Sequence, residues 1–365
     1  MKKMRFFGIA ALAALWAALT VCAWFGPAAE FSDTERRKLA QFPDLTVKTV
    51  LNGKFMTAFE DYSLDQFPLR DSFRQLKALF HYNALCQKDN NDIYIADGYA
   101  AKLEYPLNEA SVSNAVKKMN HIYETYLAES DNIVLAVVPD KGYYLAEANG
   151  YPAMDYDALF DAVKSGMPWA DFADLTDLLT VEDYYFTDTH WRQERILDAA
   201  KRLCKALGAD AFAEGELTRE TVKEPFYGVY YGQAALPMDA EQMYVLTGDV
   251  LDGCAVYNHE TGKTTGIYNW EKLSSRDLYD IYLSGAAALL TIENPNATTD
   301  KELVVFRDSF GSSMAPLLVK SYKTVTVVDI RYVASDYVGN YVDFHGQDVL
   351  FLYSTLVLNS SSTLK

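Results

Sequence analysis

Three short apolar runs near the C-terminus, LVVFRDS from Leu303, TVTVVDI from Thr324 and VLFLYST from Val349, are separated by two stretches of helical character at 312–320 and 335–345. That β-α-β-α-β alternation confines the chain to an α/β fold, because parallel strands need long crossovers and helices supply them. Ile133 to Val138, IVLAVV, is a further run without a polar residue, the pattern of a parallel strand buried on both faces. In such sheets functional groups gather at the carboxyl ends of the strands. The first run ends in Asp-Ser-Phe-Gly, so the pattern predicts a strand, a tight turn and a helix, with Ser309 at the turn. A serine there has its hydroxyl at the sheet edge and its N–H near a helix N-terminus, which suits an acyl-transfer nucleophile.

The rest of the chain sets bounds. Lys2, Lys3 and Arg5 precede Phe6 to Phe25, which contains no charge, as in an export signal or membrane anchor. About 20 residues suffice to cross a bilayer. The small-residue cleavage pattern around Pro27, Ala28 and Ala29 is poor, which favours an uncleaved anchor, and Val21 stands where lipoprotein processing at Cys22 expects a small residue. The net charge of −17, with no run of Lys and Arg beyond the extreme N-terminus that could reverse it locally, argues against nucleic acid as a partner. Cys86, Cys204 and Cys254 lack the paired short spacing of a zinc site and read as buried apolar thiols. The expected organisation is a signal or anchor over 1–28, a helical lead-in over 29–90 and an α/β domain over 91–365. An antiparallel insertion is expected at about 215–275, where FYGVYYG and a hairpin around HETGK fall.

A serine hydroxyl needs a positioned base, and the usual base is a histidine held by a carboxylate. Asp188-Thr189-His190 offers both, on a turn before the helical pattern that ends at Gly208. At i and i+2 of an extended turn the two side chains point the same way, so Asp188 can orient His190. Lys141 and Arg331 also follow apolar runs and are weighed as oxyanion or substrate contacts. Plainer readings stand beside these. Ser309 or Asp308 can cap the following helix, and Lys141 and Arg331 can be solvated charges. Asp188, His190 and Asp308 offer too few imidazoles for a metal site, so no metal or cofactor is expected. There is no G-x-S-x-G elbow, since Arg307 occupies its first glycine position, and the order Asp, His, Ser also departs from the α/β-hydrolases.

DTHW at 188–191 followed by RDSFG at 307–311 resembles the DHHW family of bacterial exported proteins, which are similar to the SGNH-hydrolase-like proteins of alginate O-acetylation. SDTERRKLAQFP after the apolar segment, DQFPLRD at 65–71, VVPDK at 137–141, FYGVYYG, DLYDIYLSG, DSFGSSMAPLL and VVDIRY at 327–332 extend the resemblance over nearly the whole chain. It implies an SGNH-like parallel sheet flanked by helices, with Ser309 as nucleophile, His190 as general base and Asp188 as its orienting carboxylate. It also implies oxyanion donors at Ser309 and Gly311, with Arg331 as a substrate or oxyanion contact and Lys141 as a weaker one. The implied activity is O-acetylation of a cell-envelope polysaccharide outside the cytoplasm, with a membrane acyltransferase of the MBOAT type passing acetyl across the membrane. A carbohydrate acetyl esterase and a non-catalytic glycan-binding or scaffold component are the alternatives.

Overall fold

The computed structural model describes residues 2–130 and 132–365. It divides into two compact units, Met1–Asn91 with Tyr231–Pro237, and Asp92–Tyr230 with Met238–Lys365.

The first unit begins with the helix Lys2–Phe25. Within it Phe6–Phe25, with a mean hydropathy of 2.2, is long and apolar enough to cross a membrane. The two-residue strands β1 (Phe31–Ser32) and β2 (Arg37–Lys38) form a small hairpin. Helices Val47–Leu51, Lys54–Asp65 and Arg70–Asn83 follow. The motifs SDTERRKL and DQFPLRD fold onto each other, because Arg37 holds Asp65 through two hydrogen bonds of 2.8 and 2.6 Å and Thr34 Oγ1 donates to Asp71 at 3.1 Å.

The second unit opens with the hairpin β3 (Ile93–Ala96) and β4 (Tyr99–Lys102). Its two-residue turn puts Asp97 and Gly98 at φ of 50° and 86°, the left-handed pair such a tight turn requires. The remaining strands are β5 (Ile133–Val138), β6 (Asp171–Phe172), β7 (Thr218–Phe226), β8 (Glu241–Thr247), β9 (Ala255–Asn258), β10 (Lys263–Thr265), β11 (Leu289–Glu293), β12 (Lys301–Arg307), β13 (Tyr322–Val328) and β14 (Asp348–Ser354). The main sheet runs in the order β10-β9-β11-β13-β12-β14-β5-β6. From β13 to β6 all neighbours are parallel, whereas β11, β9 and β10 continue the edge antiparallel. Strands β7 and β8 pair only with each other, so the antiparallel stretch expected at about 215–275 is split between a separate hairpin and the sheet edge.

Alternate residues of the central strands feed two cores. Val134, Ala136, Val305 and Leu352 face one side, packed by the helices Leu197–Ala206 and Gly311–Leu318. Leu135, Val137, Phe306 and Phe351 face the other, packed by Glu109–Ile122 and Tyr156–Gly166. A strand buried on both faces has no room for alternation of polar and apolar residues, which is why these runs are continuous. The result is a three-layer α/β/α unit with β12 at its centre, so the turn after β12 is held from both sides. Phe306 is fully buried and stacks on Phe351 with ring centroids 4.8 Å apart. Phe306→Ala is expected to lower stability by about 3–5 kcal/mol in urea unfolding, because the layer around it cannot collapse into the vacated space.

Candidate functional site

Strand β12 ends in the buried Arg307, and the chain turns through Asp308 and Ser309 into the helix Gly311–Leu318. Asp308 fixes this turn. Its Oδ2 accepts from the Ser354 N–H at 2.8 Å and from Ser354 Oγ at 2.6 Å, at the end of β14, and its Oδ1 accepts from the Phe310 N–H at 3.0 Å. The Gly311 N–H donates to the Asp308 carbonyl and the Ser312 N–H to the Ser309 carbonyl, each at 3.1 Å. The Ser309 N–H is therefore the one donor of the turn with no protein acceptor among the described residues. Gly311, expected as an oxyanion donor, has its N–H occupied. Its glycine has another cause: a Cβ there would stand 2.5 Å from Arg307 Cβ. The helix has no side-chain cap, so neither Ser309 nor Asp308 serves as its N-cap.

Ser309 is partly exposed, and its Oγ lies 2.8 Å from His190 Nε2. His190 Nδ1 lies 2.6 Å from Asp188 Oδ1, which also accepts the His190 N–H at 3.1 Å. Asp188 Oδ2 accepts the Val229 N–H at 2.9 Å. The structure thus joins Ser309, His190 and Asp188 in one hydrogen-bonded line. With Nδ1 donating to the carboxylate, Nε2 is left to accept from the serine hydroxyl. Tyr279 stacks on the imidazole at 3.8 Å between centroids and 5° between planes, and its hydroxyl donates to Ser313 Oγ at 2.7 Å. Trp191 Nε1 donates to the same Ser313 Oγ at 2.8 Å. The ring can therefore neither flip nor slide without breaking buried contacts.

The loop carrying Asp188 is itself clamped. Glu241 on β8 accepts the Phe186 N–H, the Thr187 N–H and the Thr187 hydroxyl at 2.8, 2.8 and 2.6 Å. Thr187 Oγ1 in turn accepts the Gly228 N–H at 2.8 Å. Gly228 is needed because a Cβ would come within 2.2 Å of Asp188 Cβ. From below, the buried Lys141 donates to the Tyr185 carbonyl at 2.8 Å and to the Phe186 carbonyl at 3.3 Å. Lys141 is thus a tie between the end of β5 and the loop, and its ammonium makes no contact with Ser309. Burial pushes that ammonium down to about 7, against the opposing pull of the Asp188, Glu241 and Asp140 charges.

Arg331 is likewise paired within the protein. Its Nε and Nη2 donate to both oxygens of Asp329 at 2.9 and 2.6 Å. Arg307 approaches the same carboxylate at 3.5 Å, so Asp329 sits between two cations. Burial alone would lower the Arg331 pKa, but the Asp329 hydrogen bonds and charge raise it, so the guanidinium stays charged and paired with Asp329. Asp308, the third residue weighed for a metal, is committed to Ser354.

Sequence reasoning missed Tyr279, Glu241 and Gly228 as parts of this site. Tyr279 lies in DLYDIYLSG and Gly228 in FYGVYYG, motifs noted without a role, whereas Glu241 carried no signal.

Two measurements check the clamp. In Glu241→Ala the Phe186 and Thr187 amides should lose about 1–3 kcal/mol of hydrogen-exchange protection, the scale of a buried donor left unpaired. The unfolded chain keeps Lys141 at the ordinary value of 10.5. Between about 7 and that value it binds more protons than the folded chain, so stability rises with pH across the window. Urea unfolding from pH 7 to 10 should show this slope, and Lys141→Met should flatten it.

The chain is similar in fold to a DHHW family protein from Eubacterium siraeum DSM 15702, with 21% identity over 74% of this chain and 93% of that one and a TM-score of 0.60. It is also similar to Bacillus cereus PatB1, with 18% identity over 73% and 96% and a TM-score of 0.59. PatB1 bearing a sulfonyl adduct matches at 16% identity over 73% and 94%, with a TM-score of 0.57. No curated protein matches. Residues 178–328, which include Asp188, His190 and Ser309, match the family described as DHHW protein, so the resemblance carried by DTHW and RDSFG stands, on a three-layer α/β/α fold.

Proposed function

We propose that the protein is an extracytoplasmic O-acetyltransferase that forms an acetyl-serine at Ser309 and passes the acetyl to a hydroxyl of a cell-envelope polysaccharide. The observation that carries this reading is the unbroken line from Asp188 through His190 to the partly exposed Ser309 hydroxyl. Ser309 Oγ attacks the acyl carbonyl while His190 Nε2 takes its proton, and Asp188 stabilises the imidazolium that results. The oxyanion forms beside the Ser309 N–H, the donor left open in the turn. Collapse expels the donor's leaving group, which takes the proton from His190. In the second half a glycan hydroxyl gives its proton to His190, attacks the acetyl-serine and restores the Ser309 hydroxyl. A PatB1 of the same fold carries a sulfonyl adduct, which fits a reactive group in folds of this kind. The apolar helix at the N-terminus fits export and tethering, and in this reading the acceptor is a glycan and the acetyl source a membrane acyltransferase of the MBOAT type.

Turnover of an acetyl-ester reporter by the purified full chain tests the reading, with oligosaccharide acceptors present. Ser309→Ala and His190→Ala should each lower turnover by roughly 10⁴-fold or more, and Asp188→Asn by about 10³–10⁴-fold, because the amide disturbs the imidazole tautomer. Mass spectrometry should find acetylated oligosaccharide. Free acetate as the only product would identify an esterase. Equal turnover by the wild type and a folded Ser309→Ala variant would remove both enzyme readings and leave the scaffold role.

A further inference from the structure

We infer that the three helices after the apolar N-terminal segment form an interfacial platform whose apolar stripes rest in the lipid headgroup and acyl boundary. Helices Val47–Leu51 and Lys54–Asp65 contain no buried residue, and Arg70–Asn83 buries only Ala78. On the first and third of these helices, apolar residues are instead exposed in rows. Leu69, Phe73, Leu76 and Phe80 follow each other at spacings of four, three and four, which places them on one helical face, and all four are exposed. Val47 and Leu51, one turn apart, are 77% and 82% exposed. Scattered single apolar residues on a surface need no explanation, but exposed rows on two helices of one segment do.

Two features favour lipid as the occupant. The first is aromatic. Trp24, at the end of the stretch long enough to span a bilayer, lies 6.3 Å from Phe59 between ring centroids. Phe42, Phe55 and Tyr62 gather around Phe59 at 6.0, 5.8 and 6.2 Å. Aromatic rings concentrate at membrane–water boundaries, because an apolar body and a polar edge are both accommodated there. The helix Lys54–Asp65 is therefore joined to the end of the apolar helix at the level where an interface would lie. The second is charge. Residues 26–91 contain nine acidic and nine basic residues, so the acidic excess of a chain at −17 lies outside this segment. A balanced platform is not repelled by anionic headgroups, as a strongly acidic surface would be. An amphipathic helix with this balance gains from burying its apolar face at the boundary.

The inference rests on Phe6–Phe25 being membrane-inserted, and the test separates the two. The full chain, with Cys22 and Cys86 replaced by serine and the buried Cys204 and Cys254 retained, carries single cysteines at Leu51, Leu76, Gln75 or Lys205; a further sample keeps Cys22 alone. Each is labelled with an environment-sensitive fluorophore and reconstituted in phosphatidylethanolamine–phosphatidylglycerol vesicles with brominated acyl chains. Circular dichroism controls for folding. The platform predicts bromine quenching at Leu51 and Leu76 several-fold above that at Gln75 and Lys205. Quenching at Cys22 with Leu51 and Leu76 no more quenched than Lys205 overturns the platform while leaving the inserted helix intact. No quenching at Cys22, Leu51 or Leu76 overturns both. Crosslinking of Leu76 to a second copy without lipid quenching shows a protein interface and also overturns the platform.

Discussion

Asp188 has no exposed surface, and a buried carboxylate is tolerable only where donors converge on it. The His190 N–H, His190 Nδ1 and the Val229 N–H do so here. Two come from the histidine it orients and the third from the FYG turn. Because the carboxylate is fixed, the imidazole is fixed, and because the imidazole is fixed its remaining nitrogen points at Ser309. The rest of the second unit keeps the two ends of that line at hydrogen-bond distance. The parallel sheet delivers Ser309 at the end of β12, and Asp308 locks the turn to β14. Glu241 holds the 185–190 loop by its N–H groups and Lys141 by its carbonyls.

Burial also explains the division of labour among the charges at the sheet edge. Arg307, Asp329, Arg331 and Lys141 all sit near strand ends, where catalytic groups are expected, yet Arg307, Asp329 and Lys141 are buried, and the partly buried Arg331 is paired with Asp329. Removing one partner of such a buried set leaves the other unpaired at a cost of several kcal/mol, so these residues are constrained by folding before function is considered. The line from Asp188 through His190 to Ser309 differs in one respect. It ends in a hydroxyl that solvent can reach.

Much of this was legible in the sequence for identifiable reasons. Continuous apolar runs separated by helical stretches predicted the parallel sheet because strands packed on both faces cannot alternate. Asp188 and His190 were legible because they lie two residues apart, and Ser309 because the strand-to-helix turn is local. Lys141 and Arg331 were placed correctly at strand ends but given the wrong direction, since position along a strand says nothing of where a long side chain finds its partner. For Arg331 that partner was only two residues away, in VVDIRY. Gly311 was read as an oxyanion donor when its glycine answers to Arg307 packed against it. Glu241 was illegible, because its contacts with the loop cross a separation of 54 residues and depend on how the β7–β8 hairpin folds back.

The central claim is that Ser309, activated by His190, accepts an acyl group. Peptide-mapping mass spectrometry after brief incubation of the full chain with an activated acetyl ester, without acceptor, tests it most directly. The account predicts an added acetyl on the peptide containing Ser309 in the wild type and none at that position in His190→Ala. Acetylation of Ser309 to the same extent in both proteins, or an acetyl carried on another residue in the wild type, would contradict it.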